Sequence, residues 1–61
     1  MVYKADFYKG NTKRSIVEHV FASEWDAMVW FRDMCHTLGY HGYTYGIMVD
    51  QGNNFVDDWY C

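Results

Sequence analysis

Apolar and polar residues alternate over residues 2–9: Tyr3, Ala5 and Phe7 fall on one side, Lys4 and Asp6 on the other. That period of two predicts a half-buried strand. Gly10, Asn11 and Thr12 follow as a turn cluster. Residues 14–21, rich in β-branched side chains, read as a second strand. The two make a predicted hairpin with a loop of about four or five residues. Which face of the second strand turns inward stays open, because Ile16 and Val20 compete with Val17 and Phe21.

From Ser23 the period changes to that of a helix. In Ser23-Glu24-Trp25-Asp26 the serine oxygen is placed to accept the amide proton of Asp26, in the manner of a capping box. Glu24 and Asp26 also sit at the positive end of the helix dipole. Gly39 suits the position just past a helix end, so the predicted helix runs over 24–38. Steps of about 100° per residue gather Ala27, Met28, Phe31, Met34, Cys35 and Leu38 into one sheet-facing stripe. Trp30 lies at the edge of that stripe. Trp25 and Val29 fall on the far side, among Arg32, Asp33 and His36.

Residues 40–50 predict a third strand, with Tyr43, Tyr45, Ile47 and Val49 on one face and Gly46 and Met48 on the other. Gly42 and Gly46 predict a bulge or a close backbone approach. Asp50-Gln51-Gly52-Asn53-Asn54 is the clearest turn signal, and residues 55–60 alternate as a last strand. The fold class is therefore α+β, with order ββαββ. One four-stranded antiparallel sheet carries one helix on one face, in a single small domain over residues 1–61. Strand order is left open.

Composition then narrows the function classes. The chain has 61 residues, 51% apolar and 21% aromatic, with three Trp, six Tyr, four Phe and no Pro. Disordered chains are poor in rings and rich in Pro, so disorder is excluded. No run approaches the roughly 20 apolar residues that a bilayer-spanning helix needs. The first residues lack an apolar export core, which predicts a cytoplasmic protein with free thiols at Cys35 and Cys61. The net charge is −3 and the one adjacent basic pair is Lys13-Arg14, which argues against direct nucleic-acid contact. A domain of about 60 residues is marginal alone and needs a supplement. With the thiols read as free, the predicted supplement is oligomerisation or a partner.

Candidate chemistry is thin. Cys35, His36, His41, His19 and Cys61 are zinc-ligand types, but their spacing lacks a matched Cys pair, and no metal or cofactor is predicted. Cys35 lies near the helix C-terminus, where the dipole disfavours a thiolate, and Cys61 is read as frayed. No catalytic residue is predicted. Asp57 and Asp58 point to opposite strand faces and read as protection of an edge strand.

The aromatic surplus carries more. Tyr3, Phe7, Phe31, Tyr43, Tyr45 and Phe55 or Trp59 suffice for a small core, leaving Trp25, Trp30, Tyr8, Tyr40 and Tyr60, with Val29 and Met48. Surplus Trp and Tyr are the usual anchors of protein contacts. The leading expectation is a small, acidic, non-enzymatic interaction module, an inhibitor or adaptor that occludes a partner protein. Trp25, Val29 and Trp30 form the predicted contact surface, with Glu24, Asp26 and Asp33 as its acidic rim. The partner is read as a basic or nucleic-acid-binding protein, and no membrane is involved. The alternative is a homodimer with a structural or small-ligand role, and a weaker one is a nucleic-acid mimic that blocks a basic groove. In general character the chain resembles small accessory proteins of bacterial viruses that inhibit host proteins, but no motif carries that resemblance and no residue role is taken from it.

Overall fold

The computed structural model describes residues 2–18 and 21–61. Four strands and one helix follow in the order β1 (Tyr3–Lys9), β2 (Thr12–Glu18), α1 (Glu24–Gly39), β3 (Tyr45–Asp50) and β4 (Phe55–Tyr60). The strands form one antiparallel sheet in the order β2-β1-β3-β4. This is the ββαββ architecture that the periodicities predict. β2 and β3 both run antiparallel to β1, one on each side of it, so α1 serves as the crossover between two strands of the same direction.

Local chemistry sets most boundaries. The β1–β2 loop is tighter than predicted: Lys9 pairs with Thr12, leaving Gly10 and Asn11 as a two-residue turn. Gly10 has φ 59, the left-handed conformation that the first central position of such a hairpin turn demands. β2 therefore starts at Thr12, and its predicted extension through His19 and Val20 lies outside the described residues. Ser23 caps the helix, its hydroxyl oxygen accepting from the Asp26 amide at 3.2 Å. The helix continues through Gly39, which is not its left-handed terminator. A Cβ at Gly39 would lie 3.4 Å from the Cys61 carbonyl carbon, so its small size serves close packing. The positive φ falls three residues later, at Gly42 (φ 93), and residues 40–44 form a turn and a short connection that delay β3 to Tyr45.

The core lies between α1 and one face of the sheet. Tyr3, Ala5, Phe7 and Met48 meet Ala27, Phe31, Cys35 and Leu38, all buried. The helix stripe is the predicted one, with Met28, Trp30 and Met34 partly buried along its flanks. The inner face of β3 is the opposite of the one expected. Met48, left over in the sequence reading, is fully buried, whereas Tyr45 and Ile47 point away from the helix. Gly46 decides this. The Phe7 and Phe31 rings stack at 5.6 Å against its backbone, and a Cβ there would come within 2.8 Å of Phe7. The close approach predicted for a strand glycine is thus met at Gly46, where two rings need the room of the missing side chain.

A second correction concerns the thiols. Cys35 and Cys61 form a disulfide, with Cα atoms 5.1 Å apart, and no described cysteine is free. The inward phase of Cys35 is as predicted. Pairing β4 with β3 carries residue 61 back onto the last turns of the helix, where its amide donates to the Thr44 carbonyl at 3.0 Å. Cys61 is therefore tied down, not frayed. A bridge across 26 residues contributes about 3–4 kcal/mol on a chain-entropy estimate. That is a large share for so small a domain, and it is a supplement lying within the chain itself.

Candidate protein-interaction surfaces

Two surfaces remain outside the core. The first is the outer face of α1. Trp25 is 68% exposed and Val29 52%, one turn apart on the helix. Asp26 and Asp33 are exposed on the same outer side of the helix, whereas Glu24, also exposed, stands seven residues before Phe31 and so on the sheet side, where it borders Tyr3 and Asp50. Trp30 behaves differently from its neighbours. Its ring leans onto Phe21 at 5.4 Å, and Phe21 in turn meets Tyr3 edge-on at 5.8 Å. Trp30 is therefore the half-buried margin of this surface, while Trp25 and Val29 are its open part.

The second surface is the sheet face turned away from the helix, whose composition the sequence reading did not isolate. The registers align its side chains in three rows across β2, β1, β3 and β4. One row is Val17, Lys4, Val49 and Phe55. The next is Ser15, Asp6, Ile47 and Asp58. The third is Lys13, Tyr8, Tyr45 and Tyr60. In the third row the rings touch in series, Tyr8 to Tyr45 at 6.1 Å and Tyr45 to Tyr60 at 5.0 Å. Phe55 is 65% exposed and Tyr60 81%. The Tyr45 hydroxyl donates to Asp58 at 3.0 Å. Its phenol is pushed above the ordinary value by burial, by that hydrogen bond, and by the Asp58, Tyr60 and Tyr8 charges. The Ser15 hydroxyl donates to Asp6. The signal for this face was present in the alternation of Tyr45, Ile47 and Val49, but the period alone does not say which side a helix will cover.

Comparison with known proteins returns no matching family model, no matching curated protein and no matching solved structure.

Other groups are engaged in holding the fold. Arg32, placed by helix phase toward solvent, instead reaches β4. Its Nε donates to Asp57 at 3.0 Å, and its guanidinium lies 4.1 Å from the Trp59 ring centre. Asp57 is thus an inward ion-pair partner, while Asp58 on the opposite face fits the predicted edge protection. A bulge leaves Val56 as the extra residue of β4, packed toward the core. The Asp50 carboxylate accepts from the Gly52 and Asn54 amides at 2.8 and 3.0 Å and is held below its ordinary pKa by those hydrogen bonds. It closes the β3–β4 turn, where Asn53 adopts φ 62. A shallow hollow of about 480 Å³ beside it is lined by Val2, Tyr3, Glu24, Asp50, Gln51 and Gly52, and opens broadly to solvent. The Tyr3 phenol is raised by burial and by the Glu24 and Asp50 charges.

The disulfide removes both thiolates from the candidate nucleophiles and zinc ligands. Among the described residues no three His, Cys, Asp or Glu side chains gather as a metal cluster. His19, also weighed as a ligand, lies outside the described residues. Among the described residues no helix is long and apolar enough to cross a membrane. Structural disulfides belong mainly to oxidising compartments, so the bridge withdraws the redox argument for a cytoplasmic address.

Proposed function

We propose that this protein is a non-enzymatic interaction module that occludes a basic surface on a partner protein, as an inhibitor or adaptor. The contact is made by the outer face of α1. One observation carries this reading: Trp25 and Val29 stand exposed side by side, with the carboxylates of Asp26 and Asp33 beside them on the same outer side of the helix and that of Glu24 at its N-terminal end toward the sheet. Leaving a Trp in water forgoes about 2–3 kcal/mol of burial, a large sum for a domain of this size. A partner that takes the indole recovers it. The surrounding acids raise the on-rate and orient a basic partner more than they add affinity. Trp30 contributes its outer edge, braced from behind by Phe21.

The test uses the double variant Trp25→Ala/Val29→Ala. A binding protein captured from the source organism is purified and titrated with both forms of the chain. The variant is expected to keep the unfolding midpoint to within a few degrees and to bind at least tenfold more weakly. Association of the parent chain should slow as salt rises. Unchanged affinity in the double variant, or a loss of several kcal/mol of stability, removes the outer helix from the contact.

A further inference from the structure

The open face of the sheet is a separate surface, and its chemistry differs from that of the outer helix. An antiparallel sheet with one free face ordinarily makes that face polar. Here Val17, Val49, Phe55, Ile47, Tyr8, Tyr45 and Tyr60 occupy seven of its twelve row positions. Its edges are guarded: β2 carries Lys13 and Arg14, and β4 carries Asp57, Asp58 and a bulge. Those devices block growth of the sheet by strand addition at either edge. The face itself carries four charged side chains, Lys4, Asp6, Lys13 and Asp58, among its seven apolar or aromatic ones.

The charges on this face divide along its midline. The β2–β1 half holds Lys4 and Lys13 against Asp6, an excess of one positive charge. The β3–β4 half holds Asp58 alone, an excess of one negative charge. A two-fold axis parallel to the strands, between β1 and β3, lays each half of one copy on the opposite half of another. Tyr8 then meets Tyr45, Val17 meets Phe55, and Lys13 lies over Tyr60 beside Asp58. Lys4 comes diagonally within side-chain reach of Asp6. Each acid of the face gains a lysine from the other copy, while Val49 comes to lie over the Lys4 stem and Ile47 over Asp6. Such self-complementarity is what an isologous interface requires.

We propose that the protein forms a homodimer through the open face of its sheet, with the two sheets stacked and the helices outermost. Aligned sheets pack about 10 Å apart, a separation that these side chains fill. Four strands about 4.8 Å apart and about 20 Å long make a face of roughly 400 Å² in plan, or about 500 Å² of accessible surface. Two copies bury about 1,000 Å² together, the lower end for a specific interface, so the dimer is a weak and reversible one. This arrangement leaves both outer helix faces free, and it stands whether or not they bind a partner.

Sedimentation equilibrium of the oxidised chain, from about 10 to 500 µM, tests the proposal. The expected result is a monomer–dimer equilibrium with its midpoint inside that range. Ile47→Glu, which sets a carboxylate against Asp6 of the other copy, should weaken the dimer at least tenfold with an unchanged circular dichroism spectrum. Tyr60→Ser, at a position already 81% exposed, serves as a second variant that does not threaten the fold. Lys13→Glu should weaken association several-fold, and Lys13→Glu/Asp58→Lys should restore it, because the pair faces itself across the axis. Trp25→Ala/Val29→Ala should leave the dimer constant unchanged. A monomer throughout the range overturns the proposal, as does a dimer indifferent to both Ile47→Glu and Tyr60→Ser.

Discussion

The two faces of the sheet carry nearly the same kinds of residue and have opposite fates. Toward the helix, Tyr3, Ala5, Phe7 and Met48 are buried. Away from it, Tyr8, Tyr45, Ile47 and Val49 remain half-buried, and Phe55 and Tyr60 are exposed. Apolar character therefore does not choose the core of this protein. Shape does. The inner face is dominated by close ring packing over Gly46, which lets Phe7 and Phe31 approach the backbone. The outer face has no glycine within its rows, and among the described residues no helix packs on its tyrosines. The inner face stabilises the fold, and the outer one is available for association.

The sharpest way to break this contrast is to truncate a ring on each side. Phe31→Ala empties a fully buried site and is expected to cost about 3–5 kcal/mol. Tyr60→Ala on the open face should cost under about 1 kcal/mol. Denaturant midpoints measured at low protein concentration give both values. Comparable losses would mean that the two faces share the work of stabilisation.

Reducing the disulfide comes next. It ties the inner stripe of the helix to the residue that follows β4, and its loss is expected to cost about 2–4 kcal/mol. Thermal unfolding with and without reductant measures this. If the midpoint does not move, the inner packing alone holds β4 against the helix.

Gly46→Ala probes the shape argument directly. Its new methyl would lie 2.8 Å from Phe7 and 3.0 Å from Phe31, so overpacking of about 1–3 kcal/mol is expected. The same exchange at Gly10 meets no atom within 4 Å. Its cost there should come from φ 59 alone, about 1 kcal/mol.

The smallest effect is that of pH. Asp50 has its folded pKa depressed below its ordinary value by amide hydrogen bonds in the β3–β4 turn. Its contribution to stability is present above the unfolded pKa and is lost as pH falls through the depressed folded value. Asp50→Asn should remove that part of the acid dependence, and unfolding midpoints between about pH 2 and 6 would reveal it. An unaltered acid limb would show that the turn does not depend on the charge.

What the sequence by itself determined is local. Alternation placed β1 and β4, Ser23 placed the start of the helix, and the 3.6-residue period placed Phe31 and Cys35 inward with Trp25 and Val29 outward. Such features depend on neighbours within a turn or two, and a single chain displays them directly. What only the tertiary structure decided is relational. Phe7 and Phe31 over Gly46 chose the inner face of β3 against the expectation from its tyrosines. The order β2-β1-β3-β4 brought Cys61 to Cys35 and Asp57 to Arg32, partners separated by 26 and 25 residues. Period-two alternation is symmetric between the two faces of a strand. The choice between them is made by the helix that packs there, and it becomes legible only once distant residues share a surface.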